Sequence, residues 1–221
     1  MKDKPLAYAF DEKESLMKKI IKIFCLIIVL LAITMNVYSQ VEIKEFQGEK
    51  LSPFDRSYDN SIKGPQKVDI NKYRLIVNGK IQKALLLTYT QVLALPSVTR
   101  AITLNCIEGW SEHLLFKGVR IADIVKSTSI NKDVQTVIFH AMDGYSSSLG
   151  YKYVLDNDIM LAYEINGKKL DETRGFPFQV VAESKFGYKW VKWVTRIEFS
   201  DKPHEGYWEQ RGYDNEADIY K

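Results

Sequence analysis

The sequence predicts an α+β fold with mixed sheets and short helices, and three observations carry that prediction. Short runs rich in β-branched and aromatic residues recur between residues 70 and 200, each bounded by glycine, proline, asparagine or aspartate. Two Asn-Gly dipeptides, Asn78-Gly79 and Asn166-Gly167, sit where such runs end and read as hairpin turns. Beyond residue 40, no apolar pattern at helical spacing lasts more than about two turns.

Taken in order, Tyr73-Arg74-Leu75-Ile76-Val77 alternates and meets Asn78-Gly79, with Ile81 to Leu87 as the return strand. Thr90 to Leu95 is a short helix that stops at Pro96, and Ala101 to Cys106 is a strand ending on the cysteine. Gly118 to Val125 reads as a helical turn or two. Val134 to Phe139 is a strand, Asp143-Gly144 a turn before a serine run, and Asp158 to Ala162 a short helix or strand. Asn166-Gly167 turns a second hairpin, and Gln179 to Ala182 with Val191 to Phe199 supply two more strands. Nothing divides residues 70–221, so one domain is expected there. Residues 40–69 show little periodicity and are punctuated by Pro53, Gly64 and Pro65, which describes an irregular arm lying over that domain.

The 221 residues are 46% hydrophobic and 27% charged, values that exclude a disordered, collagen-like or polytopic membrane chain. A formal charge of +3 gives no field that argues for nucleic acid, because phosphate binding needs a concentrated basic face. Lys18, Lys19 and Lys22 lead into Ile23 to Met35, apolar except for Thr34 and short for a span, which takes about 20 residues. Val37-Tyr38-Ser39 then approximates a cleavage site. Residues 1–39 are therefore expected to be a secretory signal, its true start at Met17, with an uncleaved N-terminal membrane anchor as the alternative. Either places the rest in the periplasm or otherwise outside the cytoplasm. Removing 39 residues leaves 182 with a formal charge of +1 and a single cysteine, Cys106. An unpaired cysteine in an exported chain calls for an explanation.

Common catalytic kits are missing. His113, His140 and His204 form no zinc-type pairing, and no phosphate-binding glycine loop or hydrolase signature is present. Cys106 ends a strand beside Ile107-Glu108-Gly109-Trp110, which suits a metal thiolate, a small buried hydrophobe, or the nucleophile of a pair with His140. Phe186-Gly187-Tyr188-Lys189-Trp190-Val191-Lys192-Trp193 is either a half-buried hairpin with solvated lysines or a phosphate site in which Lys189 and Lys192 converge around Gly187.

Together these segments resemble a known family. Tyr73 to Val77, Leu93 to Pro96, Leu104 to Trp110, Gly118-Val119, Asp143-Gly144-Tyr145, Leu161 to Gly167, Gly175-Phe176-Pro177, Gly187-Tyr188-Lys189 and Val191-Lys192-Trp193 are similar, in one order, to the molybdopterin-binding domain of sulfite oxidase-like enzymes. The tail Gly206-Tyr207-Trp208-Glu209 with Arg211-Gly212-Tyr213 is of the same kind. The resemblance implies a molybdenum-molybdopterin cofactor whose metal is held by Cys106, soft sulfur suiting a redox metal. It implies that Tyr145 donates a hydrogen bond to an oxo or substrate oxygen, and that Lys189 and Lys192, around Gly187, carry the pterin phosphate.

Departures refine the expectation. The family usually has histidine or asparagine where Arg174 stands and arginine where Gln179 stands, so Arg174 is expected to compensate at the phosphate. Sulfite-oxidising members tend to carry an arginine-asparagine-histidine stretch where this arm reads Tyr58-Asp59-Asn60, and Cys106-Ile107-Glu108-Gly109 is closer to the bacterial methionine-sulfoxide-reductase type. Lys18-Lys19 is not a twin-arginine signal. The expected activity is oxygen-atom transfer, with reduction of a small oxygenated molecule such as a sulfoxide. Since no haem motif is present, electrons are exchanged with an external partner, a cytochrome or membrane quinol system. The alternatives are sulfite-type oxidation by the same site, or a binding module that has lost the cofactor.

Overall fold

The computed structural model describes residues 16–27, 41–56 and 59–219, and places residues 42–221 in one compact unit and residues 1–41 in another. In the first unit residues 16–27 are helical (α1); the expected cleavage region lies outside the described residues. Among the described residues, no helix is long and apolar enough to cross a membrane.

The larger unit is built on two five-stranded sheets. One runs β4 (Leu85–Leu87), β3 (Leu75–Gly79), β12 (Val194–Ser200), β7 (Thr136–Ala141) and β8 (Ser146–Gly150). β12 pairs parallel with β3 and the other neighbours pair antiparallel, so the sheet is mixed. The second runs β10 (Lys168–Lys169), β9 (Met160–Ile165), β6 (Ser111–Arg120) and β5 (Ser97–Asn105), with β11 (Gln179–Val181) also on β9. Their apolar faces form a core containing Leu75, Val77, Phe116, Phe139, Phe178 and Phe199. Short helices α2 (Tyr89–Leu93), α3 (Ile121–Ile124) and α4 (Tyr151–Asp156) join strands. α2 starts on a capping box in which the Thr88 hydroxyl accepts from Gln91 N and the Gln91 side chain accepts from Thr88 N.

Several local expectations are refined. Asn78-Gly79 is not a two-residue turn: Val77 pairs with Leu85, leaving a seven-residue connection. Gly79 stands at φ 92° with β12 so close that a Cβ would lie 2.2 Å from Phe199 O, so the glycine serves a strand contact. Asn166-Gly167 does make the tight turn, with φ 52° and 75° and Lys168 opposite Ile165. Gly118 belongs to β6, the longest strand, which the sequence did not announce; the helix begins only at Ile121.

The arm carries a small hairpin, β1 (Glu45–Phe46) with β2 (Glu49–Lys50), and lies on the domain. Ile43 N donates to Asn166 O, Ser52 N donates to His113 O, and Phe54 is buried in the core.

Candidate active site

Three chain reversals converge on one cavity of about 390 Å3. The first is the β5–β6 connection, where Cys106 N donates to Trp110 O and Gly109 N donates to Cys106 O. The second joins β7 to β8: the Asp143 carboxylate accepts from Tyr145 N, and Ala141 N donates to Tyr145 O, which sets Tyr145 at the tip. The third is the 3-10 turn Gly187–Lys189, joined to the first by a bridge between Phe186 and Asn105. A Cβ at Gly187 would lie 3.6 Å from Asn105 O and 3.9 Å from Cys106 Cα. The cavity therefore gathers Cys106, Tyr145, Gly187 and Lys192, four of the residues expected to act. Trp190 and Trp193 form buried apolar wall, each indole satisfied by a backbone carbonyl, Lys185 O and Glu172 O respectively.

Cys106 is half-buried and free. Burial pushes its thiol pKa up, and the neighbouring Glu108 carboxylate reinforces this although backbone N–H groups at Glu108 and Ile107 oppose it. Glu108 Oε2 lies 3.7 Å from Cys106 Sγ and accepts from Trp110 Nε1 and Asn60 Nδ2, both at 3.1 Å. Those donors, the indole first, hold its carboxyl below the usual range. Asn60, from the arm, also lies 3.7 Å from the sulfur. Tyr58 lies outside the described residues.

The Tyr145 hydroxyl donates to Tyr188 O at 2.5 Å. Burial, followed by the Glu209 carboxylate, drives its pKa far up, so it is a neutral phenol at any working pH. Lys192 donates to Thr173 O, and burial lowers its pKa. Gln179 is buried in the same wall.

Two expected phosphate ligands are committed elsewhere. Lys189 does not line the cavity; its ammonium is buried and donates to Glu209 Oε1 at 2.6 Å, Ser148 O and Asn215 Oδ1, which uses all three protons. Arg174 does not line it either. Its guanidinium meets the Glu112 carboxylate bidentately at 2.7 and 3.1 Å and donates to Phe54 O and Arg56 O of the arm. The side chains of this pair are 6% and 2% exposed. Sequence reasoning missed Glu112, whose isolated position carries no signal, and it named Trp208 and Tyr213 only as part of a family-like tail, without a place in the cavity they line. The cue for these two was the density of aromatics in the tail.

Among the described residues, no group of three His, Cys, Asp or Glu side chains could hold a metal unaided. One thiol, a half-buried cation, an amide and an apolar aromatic wall do fit a metal that brings most of its own ligands on an organic cofactor.

The fold and this site define a molybdopterin-dependent oxidoreductase domain. Residues 62–208 match the family described as the oxidoreductase molybdopterin binding domain, and the chain belongs to it. It is 32% identical over 158 residues to the uncharacterized oxidoreductase YuiH of Bacillus subtilis, covering 71% of this chain and 80% of that one. It is 28% identical over 162 residues to the putative protein-methionine-sulfoxide reductase subunit YedZ1 of Azospira oryzae, covering 73% of this chain and 61% of that protein. The crystal structure of the sulfane dehydrogenase SoxCD from Paracoccus pantotrophus shares the fold, with a TM-score of 0.65 and 20% identity over 76% of this chain and 52% of its own.

Proposed function

We propose that this protein is an exported, mononuclear molybdenum-cofactor oxidoreductase that reduces small sulfoxides with electrons supplied by a cytochrome or membrane quinol system outside the chain. The observation that supports this most is the meeting of a lone thiol, Cys106, and a neutral phenol, Tyr145, on the walls of one aromatic-lined cavity. Cys106 would hold the metal and Lys192 the anionic end of the pterin. When bound, the cofactor supplies two-electron oxygen-atom exchange, and each sulfoxide takes up two electrons and two protons to leave as a sulfide and water.

The residues of the chain favour a neutral substrate. The Tyr145 hydroxyl, whose hydrogen rotates about the C–O bond, can turn from Tyr188 O to a substrate oxygen and polarise it. Trp190 and Trp193 exclude water on one side. Glu108, beside the thiol, sets negative charge where a dianion such as sulfite would approach. A sulfoxide meets no such opposition.

Loaded enzyme from a molybdopterin-competent host tests the reading. Oxidation of a reduced dye with methionine sulfoxide should exceed sulfite-dependent dye reduction. Robust sulfite oxidation without sulfoxide turnover would overturn the substrate assignment. A binding module without cofactor is the second reading, favoured by the engagement of Lys189 and Arg174 with Glu209 and Glu112; purification without molybdenum from such a host would establish it.

A further inference from the structure

The tail from Gly206 onward, which runs past the end of the family match at residue 208, contributes Trp208 and Tyr213 to the cavity wall. Its central contact is the pair Lys189–Glu209, whose side chains are 0% and 1% exposed. Glu209 Oε1 accepts from two directions: from Lys189 Nζ, in the turn that presents the Tyr188 carbonyl, and from Ser147 Oγ, on the strand that follows Tyr145. One carboxylate thus ties together the donor and the acceptor ends of the Tyr145–Tyr188 hydrogen bond. The tail adds a direct contact, since the Tyr207 ring lies 6.0 Å from the Tyr145 ring. Tyr207 N donates to Ser146 O, the residue after Tyr145. Tyr188 is also fixed from this side, its hydroxyl donating to Asp214 O.

Gly206 shows how closely the tail is drawn in. A Cβ there would lie 2.0 Å from Ser146 O and 2.7 Å from Ser147 Cα, both backbone atoms that cannot swing aside. The second Glu209 oxygen, Oε2, is buried with no hydrogen-bond partner among the described residues. Such a group costs stability, which argues that the pair is not there for stability alone.

We propose that Lys189 and Glu209 are positioning residues: through Tyr188 O and Ser147 they hold the Tyr145 hydroxyl at the cavity wall, and Lys189 does not bind the cofactor phosphate. The proposal rests on the role given to Tyr145 above. The pair is buried and ionic, so removing one partner leaves an uncompensated charge, whereas replacing both by apolar groups of similar size is often tolerated. The variant of choice is therefore Lys189→Met with Glu209→Leu. Gly206→Ala, which pushes the tail off without altering a charge, is the second.

On loaded enzyme turning over methionine sulfoxide, both variants should keep molybdenum and pterin at the wild-type content per chain. Both should lower kcat by up to about 10²-fold with KM little changed, the size expected of misplacement by an ångström or so. Combined with Tyr145→Phe, neither should lower the rate further. A purely structural role would instead multiply the two losses, and that result overturns the proposal. So does loss of pterin in the Lys189→Met, Glu209→Leu variant, which would return Lys189 to the phosphate. A readout independent of turnover separates failure here from failure of the functional reading. In protein with labelled tyrosine, the Tyr145 ring-carbon resonance, assigned by its absence from Tyr145→Phe, should shift in both variants. If it shifts while Tyr145→Phe is fully active, the positioning stands and the role of Tyr145 in turnover falls. An unmoved resonance sinks the positioning itself.

Discussion

Cys106 is the proposed metal ligand, and its surroundings show how a free thiol is accommodated there. Burial and a nearby carboxylate disfavour the thiolate, so in the absence of a metal the sulfur rests as a neutral thiol. A bound metal reverses that preference by deprotonating its ligand outright. Cys106→Ser should therefore abolish activity and strip molybdenum, since a hydroxyl is a poor substitute for soft sulfur. Full turnover by that variant would refute the ligand assignment. Tyr145→Phe should leave metal content intact and slow turnover by about 10²-fold, the usual effect of losing one well-placed donor; an unchanged rate would remove the phenol from the reaction. Lys192 lines the cavity, where its ammonium donates to Thr173 O, and it is the residue proposed to hold the pterin phosphate. Lys192→Ala should weaken cofactor retention by about 1.5–3 kcal/mol, read as faster pterin loss on dialysis. Unchanged retention would place the phosphate elsewhere.

At the level of elements, the site is made by hairpin tips, and tips are what the sequence displays best. Asn166-Gly167, the end of β5 at the cysteine and the Asp143-Gly144 turn could all be read, because each rests on local backbone chemistry. β6 could not. Ser111–Arg120 is buried on both faces over much of its length, so no alternation marks it as a strand, and Gly118 suggested a break when its real purpose is the close crossing of Leu161. The partners of Lys189 and Arg174 were equally hidden, since Glu209 and Glu112 lie 20 and 62 residues away in sequence. Arg174 links the arm to the domain by accepting nothing and donating to arm carbonyls, while Glu112 neutralises it. Arg174→Met, leaving Glu112 buried and unpaired, should destabilise the protein by about 3–5 kcal/mol. Its melting temperature should fall by roughly 6–20 °C, at about 2–4 °C per kcal/mol for a domain of this size. Loss of cofactor without loss of stability would instead restore Arg174 to the phosphate.

For the whole molecule, the near-neutral balance of charge leaves pH sensitivity to particular buried groups. Burial lowers the pKa of both His140 and His204 from the ordinary value of 6.5; Arg196 opposes protonation of His140 while Glu198 favours it. A group whose folded pKa is depressed stays neutral in the fold while the unfolded chain takes up its proton. Stability should therefore hold above about pH 6.5 and fall as the pH drops below it, before carboxylates such as Glu42, also depressed from 4.5, begin to titrate. Melting curves across that range should show two separate losses, and a flat profile between pH 5 and 7 would contradict the histidine contribution. The proposed activity depends on Cys106 holding the metal. X-ray absorption at the molybdenum edge of loaded protein tests that claim most directly: sulfur neighbours from a dithiolene plus one protein thiolate are expected in the wild type, one fewer in any metal retained by Cys106→Ser, and an unchanged sulfur count in that variant would contradict the account.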